Sequence, residues 1–325
     1  MRAPNFWEHN GLLPRFLTPL GNFWQNQTNK NYLRKKPTIL NVPVICVGNA
    51  VAGGAGKTPV VLSIIEKIQK HKINTHVLSR GYGGSTRKTI LVDQKLHTAK
   101  DVGDEPILLA AKSPTWVTKN RKNAGIQAIR AGAEVLILDD GLQNPDLYKD
   151  LSILVIDGNY GFGNGKGIPA GPLRDSIKNI LKRTDAIVII GEDKQDLGKK
   201  FQNIKPILYA EFKPAKEYNS IVGKRVIAFA GIGRPSKFFK TLSDLRCDII
   251  EKKSFPDHHL YSSRDIRKIM KLAKINNATP VTTEKDFVKL PISARHDIYK
   301  ISVKLKWRES HLLDNLILSA IENRS

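Results

Sequence analysis

The chain contains little cysteine and no long apolar run. Its two cysteines among 325 residues, Cys46 and Cys247, lie far apart, each within an apolar stretch typical of a strand. This pattern predicts two buried, reduced thiols and a reducing compartment. No segment reaches the roughly 20 uninterrupted apolar residues of a membrane-spanning helix. A secretion signal, with its apolar core and small-residue cleavage site, is not expected either.

Acidic residues are scarce relative to basic ones. The sequence holds 30 Asp and Glu against 53 Lys and Arg, which gives a formal net charge of +23. Such an excess predicts an anionic partner: nucleic acid, phospholipid or a phosphorylated substrate. Because the charge is dispersed along the chain, it indicates attraction to an anionic surface without identifying that surface. The hydrophobic content of 41% is that of a globular protein.

Residues 51–58 have the composition of a loop that binds the phosphates of a nucleotide. An apolar strand at 42–47 precedes them, and an amphipathic helix with Pro59 in its first turn follows, which is the context this motif requires. Small residues let consecutive backbone amides approach a polyphosphate, and the helix N-terminus adds partial positive charge. The expected ATP-binding residues are Val51, Ala52, Gly53, Gly54, Ala55, Gly56, Lys57 and Thr58.

Two side chains of this loop have predicted chemical roles. Lys57 can reach the β- and γ-phosphates, and the Thr58 hydroxyl can bind magnesium. Val51 departs from the usual motif, which has glycine at that position. The alternative, a glycine-rich turn that only happens to precede Lys-Thr, does not account for the strand before it and the helix after it.

A pair of carboxylates follows another buried strand. Asp139 and Asp140 follow the four apolar residues 135–138, about 80 residues after Lys57. Paired aspartates repel each other unless a cation offsets their charge, and phosphate-loop enzymes hold Mg²⁺ at such a strand end. We therefore predict that Asp139 and Asp140, with Thr58, form a metal site, although a strand-end cap is the simpler alternative.

Two further acidic motifs remain ambiguous on residue chemistry alone. Asp104 and Glu105 begin a predicted helix, where acidic residues commonly complement the helix dipole. The functional alternative is a base that accepts a proton from an attacking hydroxyl. Likewise, Asp257, His258 and His259 are either surface residues or part of a catalytic site.

Alternating strands and helices predict the fold class. Continuous apolar runs in the strands indicate a parallel sheet covered on both faces. We expect an α/β fold of the P-loop NTPase type with helices on both faces, plus a smaller C-terminal α/β lobe. The predicted divisions are an N-terminal membrane-interface segment at 1–40, a P-loop kinase core at 41–205, and a lobe at 206–325 that completes the active site.

The N-terminal segment combines aromatic residues with a basic flank. Phe6, Trp7, Phe23 and Trp24 are followed by four basic residues within 30–36. This composition is typical of a segment that lies in a membrane interface, but a helix packed on the protein's own surface fits equally well. Charged residues interrupt the segment, and two prolines, at positions 14 and 19, are expected to break it.

The motifs taken together resemble the tetraacyldisaccharide 4'-kinase family of lipid A biosynthesis. They occur in order over most of the chain, from about residue 43 to 290. They are Val47-Gly48-Asn49, Gly53-Gly54-Ala55-Gly56-Lys57-Thr58-Pro59, Ser79-Arg80-Gly81-Tyr82-Gly83-Gly84, Gly103-Asp104-Glu105-Pro106, Asp139-Asp140-Gly141-Leu142-Gln143, Gly171-Pro172-Leu173-Arg174, Ala230-Gly231-Ile232-Gly233-Arg234-Pro235, Phe255-Pro256-Asp257-His258 and Thr283-Glu284-Lys285-Asp286.

The resemblance implies an activity. Such a kinase transfers the γ-phosphate of ATP, with Mg²⁺, to the 4'-hydroxyl of tetraacyldisaccharide 1-phosphate and forms the 1,4'-bisphosphate, lipid IVA. It implies peripheral attachment to the cytoplasmic face of the bacterial inner membrane, with the lipid A disaccharide precursor and the anionic membrane surface as partners. No nucleic-acid partner is then expected. A nucleic-acid-stimulated P-loop ATPase or nucleotide switch is the alternative, since charge and phosphate loop permit it.

The resemblance also implies residue roles. Lys57 would bind the transferring phosphate, Asp104 would act as the base, and His258 would support it. The residues expected to contact the substrate are Asn49, Arg80, Tyr82, Gln143 and Arg174.

The chain departs from the family pattern at three places. Leu142 and Asn144 stand where relatives often have phenylalanine and histidine, and Asp175 replaces a glutamate. The shorter Asp175 side chain predicts an indirect contact with the site. The N-terminal membrane helix of many relatives is degenerate here, which is the reason for expecting peripheral attachment.

Overall fold

A computed structural model describes residues 4–324 of the chain. Elements are numbered in chain order. The large sheet contains β1 (Val44–Gly48), β2 (Thr75–Ser79), β3 (Ile90–Leu91), β4 (Thr115–Val117), β5 (Val135–Asp139), β6 (Leu151–Asp157), β7 (Ala186–Ile190), β8 (Ile207–Pro214) and β13 (Val303–Trp307). The small sheet contains β9 (Arg225–Ala230), β10 (Asp248–Ser254), β11 (Thr279–Thr283) and β12 (Tyr299–Ile301).

The helices lie between these strands. They are α1 (Leu12–Arg34), α2 (Lys57–Gln69), α3 (Ala99–Val102), α4 (Asp104–Ala110), α5 (Arg121–Arg130), α6 (Ile177–Lys182), α7 (Leu197–Phe201), α8 (Pro235–Asp244), α9 (Ser263–Ile275), α10 (Glu284–Phe287) and α11 (Ser310–Glu322).

Strand order determines where the site lies. The large sheet has the order β13-β8-β7-β6-β1-β5-β2-β4-β3. Strands from β8 to β4 are parallel, and only β13 and β3 at the two edges run antiparallel to their neighbours. The carboxyl ends of β6, β1, β5 and β2 therefore lie side by side at one edge, where open α/β sheets bind their ligands.

Helices cover both faces of the large sheet, as the continuous apolar strands predicted. Apolar residues of α2 and α11, including Ile64, Ile65 and Ile317, pack with Ile45 and Val47 on one face. On the other face, α5, α6 and α7 pack against the alternate side chains of the same strands. Successive strand residues point to opposite faces of the sheet. A strand without polar residues therefore contributes apolar side chains to the core on each face.

The second lobe is smaller than predicted. Its parallel sheet, β10-β9-β11-β12, has α8 on one face and α9 on the other. However, β8 belongs to the large sheet, and β13 returns there to pair with it, followed by α11 on the large core. The predicted lobe, residues 206–325, is therefore too long at both ends. Its first strand and its last strand belong to the large sheet and its last helix packs on that sheet, because strand pairing between distant segments decides to which sheet a strand belongs. The chain passes between the lobes twice, side by side, where Ala215 N–H donates to the Ser302 carbonyl at 2.9 Å.

The N-terminal helix is continuous, contrary to the expected break. Helix α1 runs for 23 residues with Pro14 in its first turn and Pro19 inside it. A proline in the first turn leaves no extra carbonyl unpaired, and Pro19 is exposed, so that solvent can reach the carbonyl it leaves without a partner. Within residues 4–324, no helix has both the length and the apolar character needed to cross a membrane.

Candidate active site

The phosphate loop connects β1 to α2, as predicted. Gly56 ends the loop with a φ of 89°, and a side chain there would lie 2.7 Å from Ile190 Cδ1, so both conformation and packing require glycine. By contrast, side chains at Gly53 and Gly54 would meet no protein atom within 4 Å. Protein packing does not explain glycine at Gly54, whereas the close approach of a phosphate to the backbone does.

Asn49 supports the loop from beneath. Its side-chain amide donates to the carbonyls of Val51 at 2.8 Å and Gly53 at 3.2 Å, and its oxygen accepts from Lys57 Nζ at 3.1 Å. The residue is fully buried. In this structure the side chain of Asn49 is occupied by the loop and Lys57, so its contact with the substrate stays a prediction. Gln143, which was also expected to contact the substrate, donates to the Asn49 carbonyl at 2.9 Å and extends this support.

The two aspartates at the end of β5 are held in different ways. Asp139 accepts from Ser79 Oγ at 3.0 Å, and Asp140 accepts from Arg174 Nη1 at 2.6 Å. Asp140 adopts a left-handed φ of 57°, which turns its side chain toward Lys57, 3.6 Å away. Arg121 stabilises this turn by donating to the carbonyls of both aspartates at 2.9 Å.

One oxygen of each aspartate lacks a hydrogen bond. Within the described residues, Oδ1 of Asp139 and Oδ1 of Asp140 are the only buried side-chain polar atoms without one. Burial and the nearby Glu105 raise the pKa of Asp139 to about 7. Burial also disfavours ionised Asp140, but Lys57 and Arg174 outweigh it and lower the pKa of that carboxyl. Carboxylate oxygens without a hydrogen bond are suitable ligands for Mg²⁺, so the two aspartates fit the predicted metal site.

A second pair lies at the start of α4. His258 Nδ1 is 3.0 Å from both oxygens of Asp104, which is 3% exposed. Burial favours neutral Asp104, but the hydrogen bond with His258 and the charge of Lys285 overcome it and lower the pKa of Asp104 to about 2. The carboxylate is therefore ionised at neutral pH, which is the protonation state that a base or a partner of imidazole requires. The structure brings together the two residues that the family resemblance paired.

Lysines of the second lobe balance the charge of this pair. Lys285 Nζ lies 2.9 Å from Glu105 and 3.9 Å from Asp104. Lys289 is almost fully buried, 3.7 Å from Asp104 and 2.8 Å from Asp286. The second lobe thus supplies His258 and two cations to a carboxylate of the first.

The neighbouring histidine has a different environment. His259 Nε2 is 3.2 Å from Asp265 Oδ2, and its ring stacks on Phe255 with centroids 4.7 Å apart. Its ring also makes an edge contact with Tyr261. His259 is therefore a packing residue of the second lobe, and only His258 reaches Asp104.

The remaining predicted contacts differ in accessibility. Arg80 is exposed at the end of β2, and Tyr82 is 68% exposed with its ring edge-on to His258 at a centroid distance of 5.1 Å. Both can reach a bound molecule. Asn144 instead closes a turn by bonding with Asp146 at 3.0 Å through both its oxygen and its amide. Asp175 is fully buried and directed away from the site, so its contact is indirect, as its length suggested.

Sequence reasoning missed several residues of the site. Lys285 lay within a recognised motif but had no assigned role, and Lys289 lay outside every motif. Their i, i+4 spacing beside Asp286 was the one available signal. Ser79 lay at the start of a recognised motif but, like Lys285, had no assigned role. Arg121 gave no signal, because it acts on a strand end that lies 18 residues away.

The fold and the site define a P-loop phosphotransferase: a nucleotide-phosphate loop, a carboxylate pair suited to a metal, and an ionised aspartate bonded to histidine. Comparison with known proteins narrows this class. The family described as tetraacyldisaccharide-1-P 4'-kinase matches residues 13–322, and the chain belongs to that family.

Individual relatives are similar in sequence to this chain over nearly their whole length. The chain is 44% identical to tetraacyldisaccharide 4'-kinase of Rhodospirillum rubrum, covering 99% of both chains, and 42% identical to that of Rhodospirillum centenum, covering 100% of this chain and 98% of the relative. Among solved structures, LpxK from Aquifex aeolicus in complex with ATP is similar with a TM-score of 0.79 and 28% identity, over 95% of this chain and 100% of that one.

Lys57→Ala is expected to reduce phosphoryl transfer by about 10²–10³-fold, since a positioned donor on developing charge is worth that much. The fold should persist, because α2 retains its apolar face. Turnover with saturating ATP is the measurement, and Lys70→Ala, an exposed lysine at the end of the same helix, is the control. Near-normal turnover of a folded Lys57→Ala protein would refute the phosphate-loop assignment.

Asp139→Asn and Asp140→Asn are each expected to raise the Mg²⁺ concentration for half-maximal rate, by on the order of 10-fold or more. An amide cannot offset a divalent charge. Rate is measured against Mg²⁺ concentration, with Asp244→Asn, an exposed residue of α8, as the control. Unchanged Mg²⁺ curves for both variants would contradict the metal-site prediction.

Proposed function

We propose that this chain is an ATP-dependent kinase that phosphorylates the 4'-hydroxyl of tetraacyldisaccharide 1-phosphate in lipid A biosynthesis. The observation that carries the proposal is the Asp104–His258 pair, held by two lobes beside the phosphate loop. A nucleotide switch has no need of an ionised carboxylate and imidazole at its phosphate site. A kinase that activates a sugar hydroxyl has such a need, because that hydroxyl is a poor nucleophile at neutral pH.

The reaction follows from these groups. Asp104 and His258 together accept the proton of the 4'-hydroxyl as its oxygen bonds to the γ-phosphorus of ATP, and the bond from that phosphorus to the β–γ bridging oxygen breaks to release ADP. Lys57 stabilises the charge on the transferring group. Lys285 and Lys289 keep Asp104 ionised, and Arg174 restrains Asp140.

Magnesium belongs to the proposal. Asp139, Asp140 and Thr58 would hold it, and when bound it would neutralise charge on the β- and γ-phosphates. The two unpaired buried oxygens support this assignment. Arg174 engages Oδ2 of Asp140, which leaves Oδ1, 3.6 Å from Lys57 Nζ, as the oxygen that would bind the ion.

The acceptor would lie on the exposed side of His258. Tyr82 offers an accessible aromatic surface there, of the kind that packs against a sugar ring, and Arg80 precedes it on the same loop. Both remain proposed substrate contacts, together with Arg174, which is 31% exposed. Asn49 and Gln143 would act on the substrate only through the loop they support.

The polarity of α1 supports attachment to a membrane surface. Its apolar side chains are exposed in this structure, with Leu12, Phe16, Leu20 and Phe23 each 58–85% exposed. They recur every three or four residues and so share one face of the helix. An exposed apolar face with basic residues beyond its end is suited to the interface of an anionic bilayer. We propose peripheral binding at the cytoplasmic face of the bacterial inner membrane.

The decisive assay incubates the protein with ATP labelled at the γ-phosphate and the disaccharide 1-phosphate acceptor. Label should appear in a bisphosphorylated lipid, and RNA should not stimulate ATP turnover. Turnover that is stimulated by nucleic acid and leaves the lipid unlabelled would favour the nucleotide-switch alternative.

Asp104→Ala is expected to lower kcat by about 10²–10⁴-fold with little change in the KM for ATP, because it removes a group that acts on the acceptor. His258→Ala should be milder. If the pair works as a unit, the double variant loses little more than Asp104→Ala alone. His259→Ala is the matched control. Multiplicative losses, or a larger effect of His259→Ala than of His258→Ala, would exclude the pairing.

Phe16→Ser with Phe23→Ser is expected to weaken binding to anionic vesicles by roughly tenfold or more, since burying one phenylalanine contributes about 1.5–3 kcal/mol. Flotation with vesicles measures the change. Asn26→Ser, an exposed polar position of the same helix, is the control. Undiminished vesicle binding would assign the membrane contact to basic residues of the body.

A further inference from the structure

The first half of the face of α1 opposite the apolar one contacts a loop of the large domain, residues 159–175. Thr18 accepts from Lys166 Nζ at 3.0 Å. A side chain at Gly21 would lie 2.6 Å from the Gly167 carbonyl, so helix and loop are in backbone contact. Trp7, just before the helix, donates to the Pro169 carbonyl at 3.0 Å.

The same loop is paired with the phosphate loop. The amide of Ala52 donates to the Pro172 carbonyl at 2.8 Å, and the amide of Arg174 donates to the Ala50 carbonyl at 2.9 Å. Val51 and Leu173 form an antiparallel bridge between these bonds. Residues 50–52 and 172–174 therefore form one hydrogen-bonded unit, and the Arg174 side chain extends that unit to Asp140.

One arginine closes the connection between the helix and this unit. Arg183 Nη1 donates to Asp175 Oδ2 at 2.7 Å, and Nη2 donates to Asn29 Oδ1 at 2.6 Å. Its guanidinium also lies 3.5 Å from the centre of the Tyr32 ring. Asp175 is completely buried, directly follows Arg174, and receives two further hydrogen bonds from Ser176 and Asn179. The planar fork of Arg183 thus joins α1 to the residue beside Arg174.

Seating of α1 means here its packing on the loop 159–175 and on Arg183. We propose that Arg183 and Asp175 are positioning residues through which the seating of α1 is energetically coupled to nucleotide binding at the phosphate loop. Neither touches the phosphate site. A seated α1 holds Asp175, which orients Arg174 and the strand pairing at Ala50–Ala52. An unseated helix releases them. The coupling goes beyond the proposed acceptor chemistry, because it concerns ATP binding alone.

The coupling can be measured in two ways, because the effect of α1 seating on ATP binding must equal the effect of ATP on α1 seating. If seating of α1 favours ATP binding, ATP must favour seating by the same factor. The first readout is the Kd for ATP from calorimetry. The second is the rate of amide hydrogen exchange in residues 12–34, with and without ATP. Neither requires acceptor or membrane, so a failure here leaves the kinase assay to judge the proposed function separately.

The test uses the full chain. Arg183→Ala and Asn29→Ala are each expected to weaken ATP binding, the former by on the order of 5-fold or more, the usual lower range of coupling between sites. In the wild type, ATP should slow exchange in α1, and in Arg183→Ala this effect should be lost. Asp175→Asn combined with Arg183→Ala should do no more than the stronger single variant, since both act through one contact. Asn26→Ala, an exposed asparagine of the same helix, should match the wild type.

Unchanged ATP affinity in folded Arg183→Ala and Asn29→Ala proteins would overturn the proposal. So would ATP-dependent protection of α1 that persists in Arg183→Ala. A variant that only unfolds at lower temperature, with ATP affinity retained, would assign Arg183 a purely structural role. Asn29 lies on the helix surface and its loss leaves Asp175 paired, so its variant remains informative if Arg183→Ala fails to fold.

Discussion

The crowding of carboxylates at one edge of the large sheet is the constraint on which the rest of the structure depends. Asp104, Glu105, Asp139 and Asp140 lie near one another with little solvent, and Lys57 alone does not balance them. Arg174, Lys285 and Lys289 supply the remaining positive charge, and the two lysines come from the second lobe. Buried charges persist only when paired. The lobes must therefore meet at this edge, which is where a phosphoryl group and its acceptor would have to meet as well.

The same constraint explains why the two aspartates at the end of β5 differ. Asp140 turns toward cations and remains ionised, whereas Asp139 lies behind it among like charges with its pKa raised. Each keeps one buried oxygen without a hydrogen bond. Burying a polar atom without a hydrogen bond destabilises the fold. Two such atoms on adjacent carboxylates are therefore better explained by a ligand that they bind than by a contribution to stability.

The N-terminal helix exposes apolar side chains and packs polar ones on the protein. Its apolar face is exposed and its polar face packs on the protein, the reverse of an ordinary surface helix. Hydrogen bonds and a stacked arginine, rather than apolar burial, hold it in place. The alternative of a helix packed on the protein's own surface therefore holds for the polar face, and the exposed apolar face is the one to which we assign the proposed membrane contact.

Local patterns of apolar period, glycine and adjacent charge are enough to predict the α/β class, the phosphate loop and the strand-end aspartates. The family, and with it the pairing of Asp104 with His258, came from the resemblance of the motifs. The fold was needed to show that β8 and β13 belong to the large sheet, that Asn49 faces inward, that Lys289 supports Asp104, and that Asp175 reaches α1 through Arg183. These depend on contacts between segments up to about 185 residues apart, the separation of Lys289 and Asp104. Such contacts produce no local pattern in the sequence. Each partner, considered alone, has the composition of an ordinary surface residue, and only the folded chain brings the two together.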